Sequence, residues 1–329
     1  MRKLISLLLA LVMVMSFATV AFAADDYKTK LDIDPVLKKT YTEESGDAPA
    51  ETFTFKVEGV SFVDNEGNPN EDITIPAIDN LTMAYTGTAE MTATIDLNAE
   101  DFPVIGKYTY MITEVIPEEK TAGTTYEQKP IYMVVTVLYD EGTTTKFVAA
   151  LHYETVTGDK TTGFTNSYAA GQLAVKKVIA GNAADMTAKF PFSVTFTADE
   201  NCVFDANVQV LTDTETTQRE YVKTSNTDGT ITITFELGHN ETATFTNIPV
   251  GTSYVVSETP GAYTSSWTEN QVSGDIAASA EKDEVSVTNT LTTNVDTGIT
   301  LDSIPFVVMM VVCAAAAVLF IIKRRSVEF

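Results

Sequence analysis

The chain has 329 residues, room for two or three domains, and its 21 basic against 45 acidic side chains give a net charge of −24. So acidic a chain lacks the basic stripe that a nucleic-acid binder needs, while 44% apolar content is too high for a disordered acidic polymer. Two cysteines exclude a disulfide-rich scaffold and two histidines a histidine-rich metal site, so no metal and no other cofactor is expected.

At the front, residues 1–23 read as a secretory signal peptide. Arg2 and Lys3 form the positive region, Leu4 to Phe17 the apolar stretch, and Ala21-Phe22-Ala23 the small-x-small cleavage pattern. From about residue 27 the chain is strand-like. Runs such as 108–112, 131–137 and 231–235 are rich in β-branched and aromatic residues, and clusters such as Asp64-Asn65-Glu66-Gly67 punctuate them. No sustained 3.6-residue apolar period occurs between 30 and 290, so the fold is predicted all-β, as sandwiches.

An internal repeat divides this region. Leu37-Lys38-Lys39, Phe53-Thr54-Phe55, Gly106 to Glu114 and Phe164-Thr165-Asn166-Ser167 come in that order. Leu173 to Ile179, Phe190-Pro191-Phe192, Gly251 to Glu258 and Ser286-Val287-Thr288-Asn289 repeat it. The predicted domains are therefore 27–169 and 170–292, meeting at a short small-residue linker, Ala169-Ala170-Gly171.

Strand parity says where the repeated polar residues point. Lys39 is in register with Ile33 and Leu37, and Lys177 with Leu173, Val175 and Ile179, leaving Lys38 and Lys176 to face out. Glu114 follows Tyr108, Tyr110 and Ile112, and Glu258 follows Tyr254 and Val256. A lysine on a core-facing parity is costly unless paired or neutralised. Two readings follow: a buried salt bridge in each domain, or an autocatalytic Lys–Asn isopeptide bond. In the second, desolvation lowers the amine pKa and raises that of the glutamate. The neutral amine then attacks the asparagine carboxamide, the glutamate moves the protons, and ammonia leaves. Elsewhere, His152 and His239 lack a catalytic partner motif, Asp64 to Asp72 does not match a calcium loop, and Trp267 reads as a surface or loop aromatic.

At the far end, Asn294-Val295-Asp296-Thr297-Gly298 precedes the uncharged stretch 304–322, predicted to span a membrane, and the basic tail 323–329. A short x-x-x-Thr-Gly motif, an apolar span and a basic tail, in that order, resemble the cell-wall sorting signals of Gram-positive bacteria. The resemblance implies that a sortase cleaves after Thr297, before Gly298, although Asn-Val-Asp-Thr-Gly departs from the usual Leu-Pro-x-Thr-Gly. A permanent single-pass anchor is the alternative. The segment left after both cuts, 24–297, holds 16 basic and 43 acidic residues, and Cys202 is its sole cysteine.

With its repeated Lys, Glu and Asn, the region from 27 to 298 resembles the sortase-assembled backbone pilins of the T-antigen kind. Those pilins have two tandem immunoglobulin-like domains, each cross-linked between first and last strands. By position the resemblance implies Lys39, Glu114 and Asn166 as one set and Lys177, Glu258 and Asn289 as the other, with the glutamates as proton shuttles. Asn289 follows Ser-Val-Thr rather than a Phe-x pair. Loops of 127 and 112 residues closed in this way would each add roughly 4–5 kcal/mol, by analogy with disulfides.

The resemblance also implies an exposed acceptor lysine that joins one subunit to the next. Lys160, in the polar turn before Asn166, is the choice, with Lys107, Lys129 and Lys189 as alternatives; a link at Lys160 is expected to pass tension straight into the Lys39–Asn166 bond. The implied partners are a sortase, neighbouring copies in a fibre, peptidoglycan or a base pilin, and a host surface. The protein is thus expected to be a non-enzymatic, extracellular, wall-anchored backbone pilin, with a non-polymerised adhesin or accessory pilin as the alternative.

Overall fold

The computed structural model describes residues 36–204, 211–212, 222–225, 229–268, 272–278, 283–293 and 304–325. The signal peptide, Ile33, the Thr297-Gly298 motif and the last residues of the basic tail, 326–329, lie outside the described residues.

Two β-sandwiches follow one another along the chain, each with its own apolar cluster. In the first, the sheet Lys160–Thr161, Lys146–Thr155, Ile131–Tyr139, Gly106–Val115, Glu51–Val63 and Leu81–Tyr85 faces a smaller one. The smaller sheet holds Glu90–Thr94, the opening strand Val36–Ser45, the start of Gly163–Ala180, and Thr124–Thr125. Alternation builds this interior: Tyr108, Tyr110, Ile112 and Glu114 point in from one strand, Leu37, Lys39 and Tyr41 from the facing one. The turn at Asp64 is held by its own carboxylate, which accepts the backbone N–H groups of Glu66 and Asn68.

The second sandwich pairs the sheet Val222–Ser225, Ile231–Leu237, Phe190–Thr197, Ser253–Glu258 and Ser273–Asp275 with another built on the end of Gly163–Ala180. That strand lies antiparallel to Thr242–Pro249 and parallel to Asp283–Thr290, which in turn pairs with Thr264–Trp267. Trp267 is therefore not in a loop: it stands opposite Val287 at the end of a strand, half-buried against the second core.

The expected linker differs too. Ala169, Ala170 and Gly171 are interior residues of one 18-residue strand, Gly163–Ala180, which closes the first domain and opens the second. The small side chains serve close packing rather than a bend: a Cβ on Gly171 would sit 2.5 Å from the Ala277 carbonyl oxygen. Around this shared strand the domains touch directly. Asp47 N–H donates to Asn247 Oδ1 at 2.8 Å and Asn247 Nδ2 donates back to the Asp47 carbonyl at 3.1 Å. Cys202–Val203 of the second domain runs parallel to Lys120–Thr121 of the first.

Beyond the domains, Ile304–Arg325 forms a 22-residue helix. Its side chains are described only over 305–317, and among the described residues no helix is long and apolar enough to cross a membrane. The expected span, 304–322, falls on this helix, with the side chains of 304 and 318–322 outside the described ones.

Candidate functional site

Each domain pairs its first strand with its last in parallel, and the register is the same in both. Lys39 stands opposite Phe164, so Asn166 is opposite Tyr41, two residues further on. Lys177 stands opposite Val287, and Asn289 is opposite Ile179, again two further on. With a side-chain period of two, amine and carboxamide lie on the same face as diagonal neighbours. The glutamate comes from the facing sheet, opposite the second phenylalanine of the Phe-x-Phe strand: Phe55 pairs Glu114, and Phe192 pairs Glu258.

The three side chains meet in the core. Lys39 Nζ donates to Glu114 Oε2 at 2.7 Å, and Asn166 Nδ2 donates to Glu114 Oε1 at 2.6 Å. In the second domain a single oxygen, Glu258 Oε1, accepts from both Lys177 Nζ at 2.6 Å and Asn289 Nδ2 at 2.8 Å. Both lysines are wholly buried, and the two glutamate side chains are 1% and 0% exposed. Lys38, by contrast, faces outward and pairs Glu90 at 3.1 Å.

Apolar walls surround each amine. Lys39 Nζ lies 4.8 Å from the Phe53 ring centre and Lys177 Nζ 4.5 Å from that of Phe190, with Phe55 and Phe192 each at 5.8 Å. Burial therefore holds both amines below the ordinary lysine range, while the hydrogen bond and charge of the partner glutamate pull the other way. Chemically, each cluster sets an amine with a depressed proton affinity beside a carboxamide, with one carboxyl bridging the two nitrogens. That is the geometry a general acid–base needs to carry a proton from attacking to leaving nitrogen.

Some participants carry no sequence signal. In the first domain the Glu127 backbone N–H donates to Asn166 Oδ1 at 2.8 Å. In the second, Ser265 Oγ lies 2.8 Å from Asn289 Oδ1 and 3.0 Å from Glu258 Oε2. A backbone amide has no residue-type signature, and Ser265 lies in a run of serines and threonines that looks like any exposed strand. The first domain also holds Glu51, whose Oε1 accepts from the Tyr126 hydroxyl and whose Oε2 is buried without a partner. Burial pushes that carboxyl above its usual range. Ala188 takes the matching place, two residues before Phe190, in the second domain.

Lys160 is exposed, on the edge strand Lys160–Thr161 and opposite Glu154. Lys107, Lys129 and Lys189 are exposed as well, so exposure does not choose among the four. His152 sits 3.4 Å from Glu154, and His239 Nδ1 accepts the Ile179 N–H at 2.9 Å.

Residues 35–169 match the family described as the Spy0128-like isopeptide containing domain, and 171–291 match DUF7601, a domain of unknown function. A protein of Streptococcus pyogenes serotype M1 named "Pilin" is 27% identical over 298 residues, covering 84% of this chain and 86% of the relative. Among solved structures, the major pilin of Streptococcus pyogenes has a TM-score of 0.51 at 22% identity, and the major pilin T3.2 from the same species one of 0.50 at 22%. Each covers 78% of this chain and 98% of the other, which shows a common fold.

Proposed function

We propose that this chain, whose residues 35–169 match the Spy0128-like isopeptide containing domain, is the structural backbone subunit of a covalently polymerised extracellular pilus. The observation that carries the reading is the same buried Lys–Glu–Asn cluster found twice, each joining the first strand of a domain to its last. An enzyme displays its reactive groups to a substrate; these are sealed in the core, where the reachable partner is the protein itself.

Within this reading each cluster converts to a Lys–Asn isopeptide bond, Lys39 with Asn166 and Lys177 with Asn289, with Glu114 and Glu258 moving the protons. Proximity supplies what a poor amide electrophile lacks; groups held this well reach effective molarities of roughly 10⁵ M or more. A buried ion pair alone would be a weak stabiliser, no better than a hydrophobic substitute. The ends complete the picture: residues 1–23 direct export, a sortase cleaves after Thr297, and 304–329 hold the precursor in the membrane until then. The Thr297 acyl group passes to Lys160 of the next copy in the fibre, and to the wall or a base pilin for the last one.

Lys160 suits that role by its place at a sheet edge, directly before the strand Gly163–Ala180. Tension applied there enters the shared strand through the backbone and crosses to the final strand at Lys177–Asn289. The Lys39–Asn166 bond then keeps the first domain closed instead of lying on the path, a revision of the sequence-based expectation that follows from the unbroken strand. The test is Lys160→Arg in cells carrying the cognate sortase. Loss of the high-mass ladder from wall extracts, with monomer still exported, is the expected result. An unchanged ladder removes Lys160, and a wild-type chain that reaches the wall only as monomer favours the accessory-pilin alternative.

A further inference from the structure

We propose that Ser265 is a catalytic residue of the second domain's cross-link: its hydroxyl polarises the Asn289 carbonyl and stabilises the charge that develops on Oδ1. The inference rests on the Lys177–Asn289 reading above and goes beyond it to a residue that the repeated motifs do not contain. Ser265 faces Asn289 directly across the antiparallel pair Thr264–Trp267 and Asp283–Thr290. Its Oγ is 2.8 Å from the carbonyl oxygen to be attacked and 3.0 Å from Glu258 Oε2.

The first domain meets the same need differently. There Ser167 faces Thr125 and Tyr168 faces Thr124, so one step further along the ladder Tyr126 falls opposite Asn166, in the place Ser265 holds. The Tyr126 hydroxyl is turned to Glu51, and the neighbouring Glu127 N–H supplies the bond to Asn166 Oδ1. Both carboxamides thus have a donor on oxygen while their nitrogen faces the glutamate.

A hydroxyl has one proton to give, and Glu258 decides where it goes. While Glu258 is ionised, its Oε2 competes with Asn289 Oδ1 for the Ser265 hydrogen. Once Lys177 has given its proton to Glu258 Oε1, Oε2 is the carbonyl oxygen of a neutral acid and a weaker acceptor than the amide, so the serine hydrogen turns to Asn289 Oδ1. The amide is therefore activated in the same protonation state that makes the amine a nucleophile. Lys177 Nζ then attacks Cγ, and the carbonyl electron pair moves onto Oδ1 against the Ser265 hydrogen bond. A proton leaves the attacking nitrogen for the Glu258 carboxyl, which gives one to Nδ2. The C–Nδ2 bond breaks, ammonia departs, the carbonyl reforms, and Glu258 ends protonated as it began that step.

Removing one donor of this kind from a developing oxyanion typically slows reaction by about 10²–10³-fold. The test uses the newly synthesised full-length chain, following by peptide mass spectrometry the joined peptides that carry Lys177 and Asn289, with Lys39–Asn166 as internal reference. Ser265→Thr keeps the hydroxyl and Ser265→Val removes it with nearly the same shape and equal strand preference, so folding affects the two alike. The expected outcome is a second bond at near wild-type rate in Ser265→Thr and about 100-fold slower in Ser265→Val, with the first bond unchanged in both. Equal rates for Thr and Val overturn the role of Ser265. A wild-type chain that never joins Lys177 to Asn289 sinks instead the reading on which it rests.

Discussion

Replacing Asn289 by alanine leaves Lys177 as a free amine in the same pocket of Phe190, Phe192 and Glu258. Burial sets its folded-state pKa below the ordinary 10.5, so the folded variant gives up this proton at lower pH than the unfolded chain does. Below the folded value both states are protonated and the full penalty persists. Between that value and 10.5 the unfolded state binds more protons, so stability rises with pH. On the proposed reading the wild type is cross-linked there and has no Lys177 amine to titrate. The gap in urea midpoint between wild type and Asn289→Ala is therefore expected to narrow from about pH 7 towards 10, and a constant or widening gap would contradict the buried-amine account. At this scale the lysines were legible in the sequence because strand parity is strict. Lys39 and Lys38 differ by one position, and one is fully buried while the other is exposed. Ser265 and the Glu127 N–H were not, since their partners lie across strands whose pairing no local pattern reveals.

The parallel pairing of first and last strand is the element that brings amine and amide together, and glycine permits it in the first domain. Gly163 lies opposite Lys38, one residue before Lys39, and a Cβ there would fall 1.7 Å from the Lys38 carbonyl oxygen. Gly181 plays a similar part just beyond the second pair, at φ +105°, with a Cβ position 2.0 Å from the Leu291 carbonyl oxygen. Gly163→Ala must push the closing strand off the opening one, at a cost on the order of 1–3 kcal/mol for such overpacking. Expected is slow or incomplete joining of Lys39 to Asn166 with the second bond normal, read from the two peptide masses; normal joining in both would show that strand contact at Gly163 does not position the first site. Strand existence was readable from alternation and turn residues. The continuity of Gly163–Ala180 was not, because Ala169-Ala170-Gly171 has the composition of a linker. Its small residues are instead demanded by close packing: Ala170 lies in the first core, and a Cβ on Gly171 would fall 2.5 Å from the Ala277 carbonyl oxygen. Trp267 was misjudged for a related reason: its strand is short, and its burial comes from the second core rather than from its own sequence neighbours.

Taken as a whole, the molecule places its two clusters on one strand. From Asn166 to Lys177 the backbone of Gly163–Ala180 runs without interruption, and each end of that stretch faces the opening or final strand of a domain. If both bonds form, load entering at Lys160 runs along the backbone to Lys177 and crosses to the final strand at Asn289, while the Lys39–Asn166 bond keeps the first sandwich closed. The rest of both sandwiches is then spared. The reciprocal Asp47–Asn247 hydrogen bonds and the Cys202–Val203 pairing with Lys120–Thr121 hold the domains against each other around that path. The two-domain plan was legible because four elements recur in the same order, whereas these interdomain contacts come from residues that the repeat does not share. The most direct measurement is the intact mass of the folded segment 24–297, wild type and Glu258→Ala. The wild type should weigh less than its sequence by two molecules of ammonia, and the variant by one, because the second site has lost its proton shuttle while the first is untouched. A wild-type mass equal to the uncorrected sequence would contradict the covalent account and leave two buried salt bridges.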